Sequence, residues 1–311
     1  MTHATRWRQE FVRSVADAYR TNPKIAAISL AGSVARGWAD RHSDIELDVF
    51  WSEPPDDAER SAILQAAGSA IDINWNNPPG EGEYRDILLR TEGHASQIWP
   101  YEDLEWSEHF YVRGVNIGVS AFLANTMESW LTDVVDDLDV DDNKHILLSS
   151  VQNGQPCFGV DLLSQWKARI NYSDELAAAV VKQQLEVNEA WWRADMLAER
   201  EAHIPLYDLF SQMQKKLLRL LLASNRIFLP DPRFKWAQVL IARMTVAPQD
   251  LQERLRMVFW MDYRAAVAEM QALYAETLAL VERAVPGVET EFARAWLSFR
   301  RAVWDEPPPA S

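Results

Sequence analysis

Apolar residues recur at three- and four-residue spacing from Arg6 to Tyr19, at Trp7, Phe11, Val12, Val15 and Tyr19, and the pattern stops at Asn22-Pro23. That period is one face of an amphipathic helix, and the proline ends it. The largely apolar run Ile25 to Leu30 predicts a short buried strand. From Asp44 to Trp51 the period changes to two, with Asp44, Glu46 and Asp48 alternating with Ile45, Leu47 and Val49. A strand of this kind carries acids on one face and aliphatic side chains on the other. Pro54-Pro55 stops it, and Asp56 to Ala67 predicts a second helix. Ala70 to Trp75 then predicts a strand with Asp72 on its face. A rival strand, Val115 to Ser120, has the same alternation but carries Gly118 where an acid would stand.

Beyond residue 150 the pattern turns helical. Leu176, Val180, Val187, Trp191, Ala194 and Leu197 form one amphipathic stripe. Leu206 to Leu222 predicts a strongly apolar helix, Tyr263 to Val285 a long one ended by Pro286-Gly287, and Pro248 with Asp250 the first turn of another. The chain therefore reads as an α+β protein. A mixed sheet flanked by helices is expected over 1–145 and an α-helical bundle over 146–304. A disordered tail is expected over 305–311, where prolines follow one another. Asp48, Trp51, Pro54, Pro55, Glu59, Ile63 and Leu64 are echoed 24 positions later by Asp72, Trp75, Pro78, Pro79, Glu83, Ile87 and Leu88. Either a strand-plus-helix unit is duplicated, or two strands share a common Pro-Pro stop.

The chemistry sits in the first third. Gly32-Ser33 forms a turn about a dozen residues before the acid strand. Carboxylates crowded on one strand face repel one another, so they are costly without a divalent cation or a cationic partner. Hard oxygen ligands at this spacing suit Mg²⁺, which takes one or two carboxylates together with substrate phosphates. A Gly-Ser dipeptide alone is an ordinary turn, and two acids alone are a solvated strand edge. Their succession points to phosphoryl-group chemistry.

Gly32-Ser33 followed by Ser43-Asp44-Ile45-Glu46 resembles the signature of the DNA polymerase beta-type nucleotidyltransferase superfamily. The Asp-Ile-Glu form is similar to that of the kanamycin nucleotidyltransferases among the aminoglycoside adenylyltransferases. The resemblance implies a nucleotidyltransferase domain followed by a helical domain. It also implies a Gly32-Ser33 turn on the triphosphate of ATP, and Asp44 and Glu46 on two Mg²⁺ ions. A substrate hydroxyl would attack the α-phosphorus and pyrophosphate would leave. It places a third carboxylate on the next strand, for which Asp72, 26 residues after Glu46, is the candidate; if the strand of Gly118 takes that place, the site lacks its third acid. Glu189 and Arg193, four residues apart, match the family's general base and its pyrophosphate-binding cation, or else form a surface ion pair. Arg36 and Ser43 lie close enough in sequence to assist at the nucleotide, although Arg36 has Asp40 as an alternative partner. Dimerisation is a further implication of the resemblance.

Composition narrows the partners. Thirty-one Lys and Arg against 46 Asp and Glu give a net charge of −15, which argues against nucleic acid and suits a cationic acceptor such as an aminoglycoside, although acidity also serves solubility. No apolar run reaches the roughly 20 residues that span a bilayer, and the start lacks the apolar core of a secretion signal, so no membrane partner and a cytoplasmic location are expected. The single Cys157 allows no internal disulfide and reads as a small packed hydrophobe. The 48% of hydrophobic residues suffices for a substantial core, and most of the 14 tryptophans belong in it. The acidic and aromatic stretch Trp99 to Glu108 reads either as a binding loop for a cationic sugar or as a solvated loop with aromatic anchors. The acid-rich Leu131 to Asp142 lacks the glycine and terminal glutamate of a Ca²⁺ loop and reads as a helix end. Arg226, Arg233 and Lys235 form a cationic, proline-rich loop that is unusual in so acidic a chain. Two other functions are compatible with the same residues: a protein-modifying or antitoxin-type nucleotidyltransferase, and a pseudoenzyme that binds nucleotide without transferring it.

Overall fold

In the computed structural model, which describes residues 2–69, 106–186 and 191–300, the period-two segment becomes strand β2, Ile45–Trp51, with its aliphatic side chains fully buried. β1, Ile25–Leu30, lies antiparallel to it, so Ser29 pairs with Asp48 and Leu30 with Leu47. On its other side β2 pairs in parallel with β4, Val115–Leu123, and β4 pairs antiparallel with β3, Trp106–Val112. A late strand, β5, Gln155–Phe158, pairs antiparallel with β1. The order of this mixed sheet is β3-β4-β2-β1-β5.

Helix α1, His3–Tyr19, and helix α3, Asp57–Ala66, cover one face. The first starts at Thr2, whose hydroxyl accepts from Thr5 N–H; the second starts at Asp56 in a reciprocal capping box with Glu59. Val12, Val15 and Tyr19 of α1 and Ile63 and Leu64 of α3 pack on Ile28, Leu47, Val49, Phe110 and Val119 of the sheet. The other face carries an aromatic patch. Phe50 stacks on Phe122 at 5.9 Å and meets Trp166 edge-on at 4.8 Å, while Phe122 meets Trp130 at 6.0 Å. Trp130 belongs to α4, Ala124–Val135, and Trp166 to α6, Val160–Arg169. Between them runs α5, Asp142–Asn153.

The chain divides into two compact units, residues 1–137 with 143–171, and residues 138–142 with 172–311. This differs from a boundary at 145. α5, β5 and α6 belong with the sheet, because β5 supplies its edge and α6 closes its aromatic face. Strands therefore do not end at residue 150.

The second unit is helical: α7 (Asp174–Glu186), a 3-10 turn (Trp191–Arg193), α8 (Ala194–Glu199), α9 (His203–Ser224), α10 (Ala237–Ile241), α11 (Leu251–Met257), α12 (Tyr263–Ala284) and α13 (Glu291–Ser298). Its core holds Leu176, Trp191, Phe210, Met213, Leu217, Leu221, Met270, Leu273 and Leu278. The stripe read through Leu197 is divided between α7 and α8, with the 3-10 turn before the second. Arg226 of the cationic loop holds this unit together. It bonds Asp174 at 2.6 Å and the carbonyls of Ala223, Ser224 and Ala284. Arg233 pairs with Asp231 of its own loop at 3.3 Å. Among the described residues no helix is long and apolar enough to cross a membrane.

Candidate functional site

The predicted turn and the acid strand meet directly. After β1 the chain enters a short helix, α2, Gly32–Ala35. Ala31 N–H donates to the Glu46 carbonyl at 2.8 Å, which stitches the turn to β2. Gly32 has a φ of +59°, and a Cβ there would come 1.5 Å from Glu46 Oε2. Only glycine satisfies both demands, so the Glu46 carboxylate lies against the turn's backbone. Ser33 is nearly buried at the start of α2, and its carbonyl accepts from Trp38 N–H at 2.9 Å.

The approach to Asp44 is a tight loop. The Asp40 carboxylate accepts from His42 N–H at 2.8 Å and from the Ser43 hydroxyl at 3.1 Å, and the His42 bond foremost draws its pKa down. Arg8 of α1, nearly buried, donates from Nε to the Ser43 carbonyl at 2.9 Å. Burial lowers its pKa, while the charges of Asp40 and Asp44 oppose that effect. Arg8 thus supports the residue before Asp44 and stands as a cation beside it, a role that its place on an amphipathic helix did not announce.

Asp44 and Glu46 are half-buried, whereas Asp48 is buried. Asp48 accepts from the Ser150 hydroxyl of α5 at 2.6 Å. Burial pushes its carboxyl up to about 7; the Ser150 bond and the Arg36 charge hold it down, and the Glu46 charge adds to the rise. Arg36, just after α2, donates from Nη2 to the Ser149 carbonyl and hydroxyl, both at 3.3 Å, and lies over the Trp38 ring at 5.6 Å. Gln9 and Gln155 hold the carbonyls of Val34 and Ala35 at the far end of the turn, at 3.3 and 2.8 Å.

The strand beside β2 is β4, and in its register Gly118 faces Glu46 while Ser120 faces Asp48. His109 of β3 is in turn opposite Gly118. Its ring rests on the glycine, so that a Cβ at 118 would lie 3.3 Å from His109 Cε1. Burial lowers the His109 pKa against the pull of Asp44, which favours a neutral imidazole. Across three strands the row therefore reads carboxylate, no side chain, imidazole.

Of the other sequence candidates, Asp72 and Glu189 lie outside the described residues, as does the second copy of the 24-residue echo. Arg193 closes the 3-10 turn of the helical unit, with its guanidinium 4.7 Å from the Trp192 ring centroid. Glu108, the last residue of the acidic and aromatic stretch, belongs to β3 and is buried on the opposite face of the sheet. It accepts from Arg60 at 2.8 Å and from the Tyr19 hydroxyl at 3.1 Å, so it is an internal ion pair rather than a loop acid.

A divalent cation can be tested against the donors present. Among the described residues there is no group of three or more His, Cys, Asp or Glu able to hold a metal ion. The described chain offers two half-buried carboxylates, Glu46 against the glycine turn and Asp44 two positions before it. That set fits Mg²⁺, which completes its octahedron with phosphate oxygens and water, and does not fit an all-protein cage.

No family model matches the chain, and no curated protein does. Among solved structures it is similar to a nucleotidyltransferase-like protein from Exiguobacterium sibiricum 255-15, at 10% identity over 89% of this chain and 77% of that one. The TM-score is 0.36, a likeness too loose to carry an argument about what this chain does.

Proposed function

We propose that this chain is a Mg²⁺-dependent nucleotidyltransferase that moves a nucleoside monophosphate, AMP from ATP, onto a hydroxyl of a small cationic molecule of the aminoglycoside kind. The observation that carries this reading is the interlock of turn and strand. Gly32 admits the Glu46 carboxylate against its backbone, so the group that would bind phosphate and one of the two that would bind the cation share one surface.

In this reading Asp44 and Glu46 hold Mg²⁺, and the cation's contribution is to offset charge on the triphosphate as the α-phosphorus is attacked. Ser33 and the amides of the turn hold the β- and γ-phosphates, with Ser43 fixing the loop that presents Asp44. Arg36 adds positive charge beside the turn. With the strand of Gly118 beside β2, this reading works from two carboxylates, and a third is proposed only from Asp72, outside the described residues. Glu189 is the proposed base that takes the acceptor proton, and Arg193 the cation that meets pyrophosphate. The net charge of −15 supports a cationic acceptor over nucleic acid.

A second reading, nucleotide binding without transfer, is favoured by Gly118, because the residue in register with Glu46 on the neighbouring strand has no carboxylate to offer. One experiment separates the two. Purified chain is incubated with labelled ATP, Mg²⁺ and a panel of aminoglycosides, lincosamides and other hydroxylated compounds, while calorimetry follows ATP binding. Transfer predicts pyrophosphate release that falls to background in Asp44→Asn and in Glu46→Gln with the fold intact. Turnover unchanged in either variant refutes it, and binding with no release for any acceptor assigns the second reading.

A further inference from the structure

Behind the turn and the acid strand lies a segment to which neither the sequence pattern nor the proposed reaction gives a part: the end of α5 and the chain leading into β5. Its contacts converge. Ser149 takes the Arg36 guanidinium through both its carbonyl and its hydroxyl at 3.3 Å. Ser150 donates to the Asp48 carboxylate at 2.6 Å, and Gln155 holds the last carbonyl of α2 at 2.8 Å. Gly154 fits so closely under the end of β1 that a Cβ would come 2.2 Å from Ser29 Oγ and 3.1 Å from the Leu30 carbonyl. Lys167 of α6 ties the Gly154 carbonyl from behind at 2.5 Å.

Anchoring a helix to a sheet needs apolar contact, and Leu147, Leu148 and Val151 of α5 already supply it. The polar contacts do something else. Those of Ser149, Ser150 and Gln155 land either on the turn that follows β1 or on the strand that carries Glu46. Asp48 sits two positions from Glu46 on the same strand face, and Arg36 directly follows α2. A hydroxyl that holds Asp48, next to a residue that holds Arg36, fixes the separation of the two halves of the nucleotide site.

We infer that Ser150 is a positioning residue of that site: through Asp48, and beside the Ser149–Arg36 contact, it sets the acid strand against the Gly32 turn. This rests on the nucleotide reading above and deepens it. Outer partners of metal-binding groups change metal affinity or activity by about 10- to 100-fold when removed. An asparagine or alanine at 150 would lack the compact donor that reaches a buried carboxylate at this distance, whereas threonine keeps the hydroxyl.

The test is calorimetric titration of ATP with Mg²⁺ into the full chain, alongside thermal unfolding. Ser150→Ala is expected to weaken binding by about 10-fold, and Ser150→Thr to stay within about twofold of wild type. Tyr19→Phe, which removes a buried hydrogen bond on the opposite face of the sheet, should lower the unfolding midpoint without moving the affinity. Wild-type affinity in folded Ser150→Ala overturns the inference. So does an equal loss of affinity in Tyr19→Phe, which would mean that any loosening of the sheet suffices. If Ser150→Ala does not fold, Ser150→Cys keeps the volume with a weaker donor and should weaken binding in the same direction; unchanged affinity there is equally fatal. Wild-type chain that binds no ATP sinks the nucleotide site itself and the inference with it, a failure visible before any variant is made.

Discussion

The two faces of the sheet bury acids in opposite ways. On the α1 and α3 face, Glu108 is almost fully enclosed and meets its counter-charge within the chain, with Arg60 on one oxygen and the Tyr19 hydroxyl on the other. On the α5 face, Asp48 receives the Ser150 hydroxyl and shares its surroundings with another carboxylate, Glu46, while Arg36 contributes charge from the edge of the turn. Desolvation raises both pKa values, and on Glu108 the ion pair counters it. A carboxylate matched by arginine and tyrosine is part of the scaffold. Carboxylates set beside each other, next to a glycine that yields its Cβ space, form the side of the sheet on which the proposed function places its cation.

Breaking the scaffold side should have the larger effect. Arg60→Met leaves Glu108 buried without its cation, and a loss of about 3–5 kcal/mol is expected in urea unfolding. A loss below about 1 kcal/mol would show that Glu108 accepts a proton at little cost and that the two faces differ less than their geometry implies.

Asp48 sharpens the comparison through pH. Its folded pKa, about 7, lies above the ordinary value of 3.8, so the folded chain holds this proton more tightly than the unfolded one. Below pH 3.8 both states are protonated and the group is silent. Between 3.8 and about 7 the unfolded state ionises first and stability falls, and above about 7 the loss is complete. Asp48→Asn, which still accepts from Ser150, should therefore match wild type near pH 4 and exceed it at pH 8 by on the order of 3 kcal/mol. A difference that does not grow with pH contradicts this assignment. The smallest effect belongs to Tyr19→Phe, which leaves the Arg60–Glu108 pair in place and should cost about 1 kcal/mol at neutral pH, measured as a shift in Tm.

Much of the first unit was legible because its determinants are local. The period of two made β2, the proline at 23 ended α1, and the Gly32-Ser33 pair before a row of acids marked the turn. The site's supports were not legible, because their partners are distant in the chain. Ser150 reaches Asp48 across 102 positions, Arg36 reaches Ser149 across 113, and Tyr19 reaches Glu108 across 89. No spacing rule connects such pairs. β5 escaped for a different reason: four residues that include Pro156 give no alternation to read, and their strand character comes from the edge of β1. Gly118 was visible as the place of a missing acid, but its position opposite Glu46 came only from the pairing of β4 with β2.

That late edge strand has a consequence for synthesis and for cutting the gene. Until the ribosome has delivered residues 155–158, the outer side of β1 presents open amide and carbonyl groups, a template for any other extended chain nearby. A fragment that stops at residue 145 would carry the turn and the acids yet leave this flank bare, and precipitation is its expected fate. Extending the same fragment to residue 171 would restore the missing border.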